Sequence, residues 1–204
     1  MTKEQGFWQW FLANEARHHT FDPRDVSGRE PLFNELSKRL EAVHADLTFE
    51  FSPVFDDGTR ELVISADGIK AAFPAVEALC EAAPSIPRWR IVKFRPRRTP
   101  ILPIRIPGLE IDPKTVHYTL FRDGIKIGIM LFHQGYKADL ENAYATAMYL
   151  LLDEALGEYD VETKVGFIEI KNTDAQYFNP DQVLPDLPSD FDAAFARLPV
   201  GDPN

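Results

Sequence analysis

Two periodicities share this chain, and the longer one is clearest between residues 138 and 157. Leu140, Ala143, Tyr144, Ala147, Met148, Leu151 and Ala155 recur at three- and four-residue steps, the spacing of one helix face. Leu150, Leu152 and Leu156 widen that face, which predicts a helix covered on more than one side. Gly157 follows where a helix C-terminus favours tolerance of positive φ, and 161–170 reads as a strand returning along the same core. Near the start, Thr2 with Gln5 predicts a capping box, and Phe7, Trp8, Phe11 and Leu12 give the first helix its apolar face. The polar stretch 19–29, with Pro23 and Gly28, reads as a linker. A second helix is expected over 31–44, with Pro31 in its first turn and Phe33, Leu36, Leu40 and Val43 as its buried stripe.

Period-two alternation marks the strands. Segments 47–54 and 61–66 flank Asp56-Asp57-Gly58, a hairpin signal. A two-residue Asp57-Gly58 loop pairs Phe51 with Ile64 and Phe49 with Ala66, leaving Glu50, Ser52 and Glu61 on the other face. A helix over 74–83 and a strand over 88–95 follow. Pro96, Pro100, Pro103, Pro107 and Pro113 argue against a central strand in the next connection. Segments 115–122 and 125–133 form a second hairpin around Asp123-Gly124, ahead of the long helix and the last strand. In the Pro- and Asp-rich tail, Ser189 is placed to cap a short helix presenting Phe191, Phe195 and Leu198.

Strand, Asp-Gly turn, strand, helix, strand thus occurs over 47–95 and again over 115–171. The reading is a structural repeat, with the strands flanking each helix parallel across a right-handed crossover. The fold class is α+β: two ββαβ units forming a mixed, mainly antiparallel sheet with helices packed on it, plus two N-terminal helices. With 204 residues the chain is expected to be a single domain. Its parts are N-terminal helices (1–46), a first ββαβ unit (47–95), a Pro-rich basic connection (96–114), a second ββαβ unit (115–171) and the tail (172–204).

The net charge of −10 argues against nucleic acid as a partner. One cysteine, Cys80, removes any intramolecular disulfide and any multi-cysteine metal site, and its neighbours Phe73, Val76 and Leu79 favour a buried apolar role. The opening MTKEQGFWQWF, with Glu4 and no long apolar run, is not expected to be a secretory signal. No apolar run approaches the roughly 18 residues of a membrane span, so the expected location is the cytoplasm, with no membrane partner.

Chemistry is sparser. Pairing Arg122 with Ile125 puts Val116, Tyr118 and Leu120 on the core face with Ile125, Ile127, Ile129 and Leu131. His117 then faces the other way with Thr119, Gly128 and Met130, while His133 falls on the core side, so the pair is not expected to share a metal. His117 is the histidine expected to contact a ligand. Glu15-Ala-Arg-His18 and Glu41-Ala-Val-His44 repeat the Glu-x-x-His spacing of di-iron bundles, but a sheet replaces the further helices such a site needs, and no metal is expected. Arg88, Arg90, Lys93, Arg95, Arg97, Arg98 and Arg105 fall within 88–107 with no acidic residue among them. Arginine forks suit carboxylate or phosphate; equally, the run could protect an edge strand and pair with the chain's own acids. Asp153, Glu154, Glu158, Asp160 and Glu162 crowd the end of the long helix, where charges are usually solvated. There is no Gly-rich phosphate loop, Gly-x-Ser-x-Gly elbow or His-Glu-x-x-His, and no cofactor is implied.

Three blocks, FWQWFLANEARHH at 7–19, LTFEFSPVFDDGTRELVISADGIKAAFPAVEAL at 47–79 and LLLDEALGEYDVETKVGFIEI at 150–170, resemble a family of bacterial cytoplasmic proteins of about this length. That family has no established activity, so the resemblance implies no site. The leading expectation is a binding or regulatory module for a protein or an anionic small molecule, contacted by Arg95, Arg97, Arg98 and His117. The alternative is an enzyme acting on a small polar or anionic substrate, with a carboxylate such as Glu50 or Glu169 as base and no metal. Self-association through a sheet edge or the tail is the third reading.

Overall fold

The computed structural model describes residues 1–199; the last five residues of the tail, 200–204, lie outside the described residues. The chain divides into two compact units, Met1–Arg95 and Pro96–Asn204. Each ββαβ order closes its own three-stranded sheet over its own apolar cluster. The α+β class holds in both.

In the first unit, α1 (Lys3–Thr20) starts on the expected capping box. The Gln5 N–H donates to Thr2 Oγ1 at 3.2 Å and the Thr2 N–H to Gln5 Oε1 at 3.0 Å. Helix α2 (Val26–Glu41) begins five residues earlier than Pro31 predicts, because the Asp25 carboxylate accepts the Gly28 N–H at 3.0 Å. Pro31 therefore lies inside the helix, where it costs one backbone bond. Strand β1 (Thr48–Phe51) pairs antiparallel with β2 (Arg60–Ser65), and Phe51 faces Leu62 rather than Ile64. The slip is two residues, and the turn encloses residues 56–58, with the Phe55 N–H donating to Thr59 O at 2.8 Å. An even slip preserves the alternation, so Phe49 and Phe51 still share a face with Ile64 and Leu62. Helix α3 (Phe73–Glu81) then crosses to β3 (Trp89–Lys93), which lies parallel to β2. Phe11, Leu36, Leu40, Leu62, Ile64, Val76 and Leu79 form the centre of this core, all fully buried.

The second unit opens with a hairpin of its own, β4 (Ile104–Ile106) against β5 (Leu109–Ile111), within the proline-rich connection. Its two short strands form a separate sheet, so the prolines exclude only a central strand. Strands β6 (His117–Asp123) and β7 (Lys126–Phe132) pair antiparallel with Arg122 opposite Ile127, again two residues from the expected register. The core face is Tyr118, Ile129 and Leu131, each fully buried, whereas Ile125, expected on that face, lies in the turn between the strands and is exposed. Helix α4 (Glu141–Leu156) ends at Gly157, whose φ of 80° and ψ of 141° turn the chain into α5 (Glu158–Lys164). Residues 161–164 are thus helical, and β8 (Val165–Lys171) is shorter than expected, pairing parallel with β7. Helix α6 (Leu187–Phe195) starts before Ser189, which lies inside it, and buries Phe191 against this core. No helix among the described residues is long and apolar enough to cross a membrane.

Candidate functional site

Where β6 begins and β7 and β8 end, the second unit carries an open cleft of about 760 Å³. The C-terminal ends of parallel strands commonly bear ligand sites, since loops diverge there and leave a hollow. Lys114, in the turn before β6, enters from one side; His117 heads β6; His133 and Gly135 follow β7; Thr173 and Phe178 follow β8.

The histidines meet here, although strand alternation assigns them opposite faces. His117 pairs with Phe132, and β7 ends there, so alternation no longer governs His133. The chain turns instead, with the Tyr136 N–H donating to His133 O at 3.0 Å and Asn172 Nδ2 donating to the Gln134 and Tyr136 carbonyls at 2.9 and 3.0 Å. Within that turn His133 Nδ1 accepts the Gly135 N–H at 3.1 Å and faces the Tyr144 hydroxyl at 3.2 Å. Burial raises the Tyr144 pKa, which keeps that hydroxyl protonated as a second donor. Nδ1 is therefore the acceptor, and the proton of neutral His133 sits on Nε2. Burial, reinforced by His117, lowers the His133 pKa and favours this neutral form.

His117 is held differently. Its ring stands edge-on to Phe178 at 5.1 Å, and its Nδ1 is buried with no hydrogen-bond partner. A buried polar nitrogen without a partner costs free energy that a ligand oxygen would recover. No carboxylate is among the described residues that line the cleft, in a chain of net charge −10. Lys114 adds a cation, so the hollow is suited to negative charge. No group of three or more histidine, cysteine or acidic side chains among the described residues is placed to hold a metal ion.

The arginines expected beside His117 are placed elsewhere in function. Arg95, in the first unit, pairs with Glu50 and, at 2.9 Å, with Asp67. Burial works against its charge, but the two carboxylates overcome that and hold its pKa above the ordinary arginine value. Arg97, in the second unit, donates to Leu156 O and Asp160 and makes a two-pronged bond to Asp192, all at 2.8 Å. The Arg98 N–H donates to Glu154 O at 2.8 Å. Arg88, Arg90, Lys93 and Arg105 pair with Glu15, Asp57, Glu77 and Glu110. The basic run is largely spent within its own units.

Neither Glu-x-x-His motif forms a ligand pair. Glu15 accepts from Arg88 and, at 2.9 Å, from the Trp89 indole, whereas His18 is buried among Trp10, Phe11 and Phe51. His44 lies beside Asp46. Burial pushes the Cys80 thiol up to about 12, which suits an inert apolar role. Lys114 and His133 are the cleft residues that strand periodicity does not single out, and their one sequence signal is position, just outside strand ends. Tyr144, which holds His133, lies on the helix face that the three- and four-residue steps mark. No family model, curated protein or solved structure matches the chain.

Proposed function

We propose that this is a bacterial cytoplasmic binding module whose cleft takes a small anionic molecule, with His117 in contact with it. The carrying observation is the carboxylate-free lining around Lys114, His133 and the unpartnered Nδ1 of His117. In this reading, Lys114 supplies the opposite charge, His133 Nε2–H a fixed donor, and His117 Nδ1 the bond that its burial leaves unmade. The same plan of hairpin, helix and parallel return strand in both units supports reading them as a structural repeat.

The test is a titration of isotope-labelled protein with inorganic phosphate and malonate. Saturable shifts at His117, His133 and Thr173 are expected. A Lys114→Gln/His117→Ala variant should weaken binding by about tenfold or more, since each charge-assisted bond contributes about 1.5–3 kcal/mol. Unchanged affinity in that variant would sink the reading. Native mass spectrometry of protein purified from its own host then identifies the ligand. A clean monomer mass, or a multiple of it, would instead favour a protein partner or self-association.

An enzyme is the second reading, and the imidazole pair favours it. A neutral His133 with a fixed Nε2–H beside His117, whose Nδ1 has no protein partner, offers two imidazole nitrogens to one substrate. The carboxylate version has less support, as Glu50 is engaged by Arg95 and Glu169 by Lys171 at 3.0 Å.

A further inference from the structure

The first unit holds a cavity of about 290 Å³ between the α1–α2 connection and the β1–β2 hairpin. Its walls are the rings of Phe21, Phe33 and Phe51, which touch one another at centroid distances of 5.0 to 5.6 Å. Its polar groups are mainly two arginines, and no carboxylate is among the described residues that line it.

Arg60 is 4% exposed. Its Nε donates to Ser52 O at 2.8 Å, and its Nη1 to His18 O at 3.2 Å and His19 O at 2.9 Å. The latter two carbonyls belong to the last turn of α1, so Arg60 closes that helix end and benefits from its negative dipole. Helix closure accounts for Nε and Nη1. It leaves Nη2 without an assigned partner on a guanidinium that has no carboxylate beside it, and burial alone lowers the Arg60 pKa. The Arg60 fork lies over the Phe21 ring at 3.9 Å, which fixes its plane.

Arg29 is the second cation. It sits in the first turns of α2, the end where the helix dipole disfavours positive charge. Its Nη1 donates to Pro23 O at 2.8 Å, and its fork lies 5.8 Å from the Phe33 ring. Helix stability gives no reason for an arginine there. A negative group between Arg29 and Arg60 does.

We propose that this cavity binds a small aromatic carboxylate, its ring against Phe21, Phe33 and Phe51 and its carboxylate between Arg60 Nη2 and Arg29. The volume fits a single ring better than a nucleotide or a peptide. The apolar walls select against free phosphate, which would bury no apolar surface to offset the desolvation of the two guanidinium groups.

The experiment is a benzoate titration of the full chain followed by NMR, with benzyl alcohol as the neutral isostere. Saturable shifts at Phe21, Phe33, Phe51 and Arg60 Nε are expected with benzoate, and at least tenfold weaker binding with benzyl alcohol. Arg60→Lys endangers the α1 closure, so the informative variant is Arg29→Gln. It should keep the wild-type melting temperature and weaken benzoate by about tenfold. Equal affinity for the two probes, or for the two proteins, would overturn the proposal. So would benzoate shifts confined to His117 and Thr173, which belong to the other cleft.

Discussion

A neutral imidazole in an aromatic setting makes this protein sensitive to mild acid. His18 is fully buried, with Nδ1 3.0 Å from Asn14 O and the rings of Trp10, Phe11 and Phe51 around it. Burial lowers its pKa from 6.5, and His133 shifts in the same direction. The unfolded chain then takes up protons near pH 6.5 that the folded chain refuses, so folding stability is level above about pH 7 and declines as pH falls from there toward the folded value. Urea midpoints should fall between pH 7.5 and 5.5 in the wild type and fall less in His18→Gln. A flat wild-type profile would contradict this. The same scale shows why the site was half legible in the sequence. Alternation along β6 singles out His117, but His133 and Lys114 lie outside strands, where period two carries no information. The arginine run is plain in the sequence, whereas partners such as Asp67 and Asp192 stand 28 and 95 residues away from Arg95 and Arg97 and become partners only on folding.

Elements were legible in kind and less so at their limits. Both hairpins form with the expected faces because any even slip in register preserves alternation, and the apolar face alone cannot distinguish them. Helix α2 begins at the side chain that satisfies its first N–H groups, a stronger local signal than a proline able to start a helix. The junction of α4 and α5 depends on Gly157, buried and held at φ 80°, ψ 141°, a region almost closed to residues with a Cβ. Gly157→Ala should cost about 1–3 kcal/mol in chemical denaturation. The amides of Val161 and its neighbours in α5 should lose hydrogen-exchange protection first. An unchanged midpoint would mean the junction relaxes without strain.

Two apolar clusters, one in each unit, make a single all-or-none transition the less expected behaviour for the whole molecule. Calorimetry should give a van't Hoff enthalpy below the calorimetric one; equality would show that the units unfold together. Leu36→Ala, at a fully buried site in the first cluster, should cost about 2–5 kcal/mol and act on the transition of that unit. The chain carries its own means of telling the two apart. Its three tryptophans, Trp8, Trp10 and Trp89, all lie in Met1–Arg95, and its six tyrosines, from Tyr118 to Tyr177, all lie in Pro96–Asn204. Indole emission excited at the red edge therefore reports one unit, and the tyrosine absorbance band is dominated by changes in the other. Any ligand, denaturant or substitution can be assigned to its half of the chain by colour, without attaching a label.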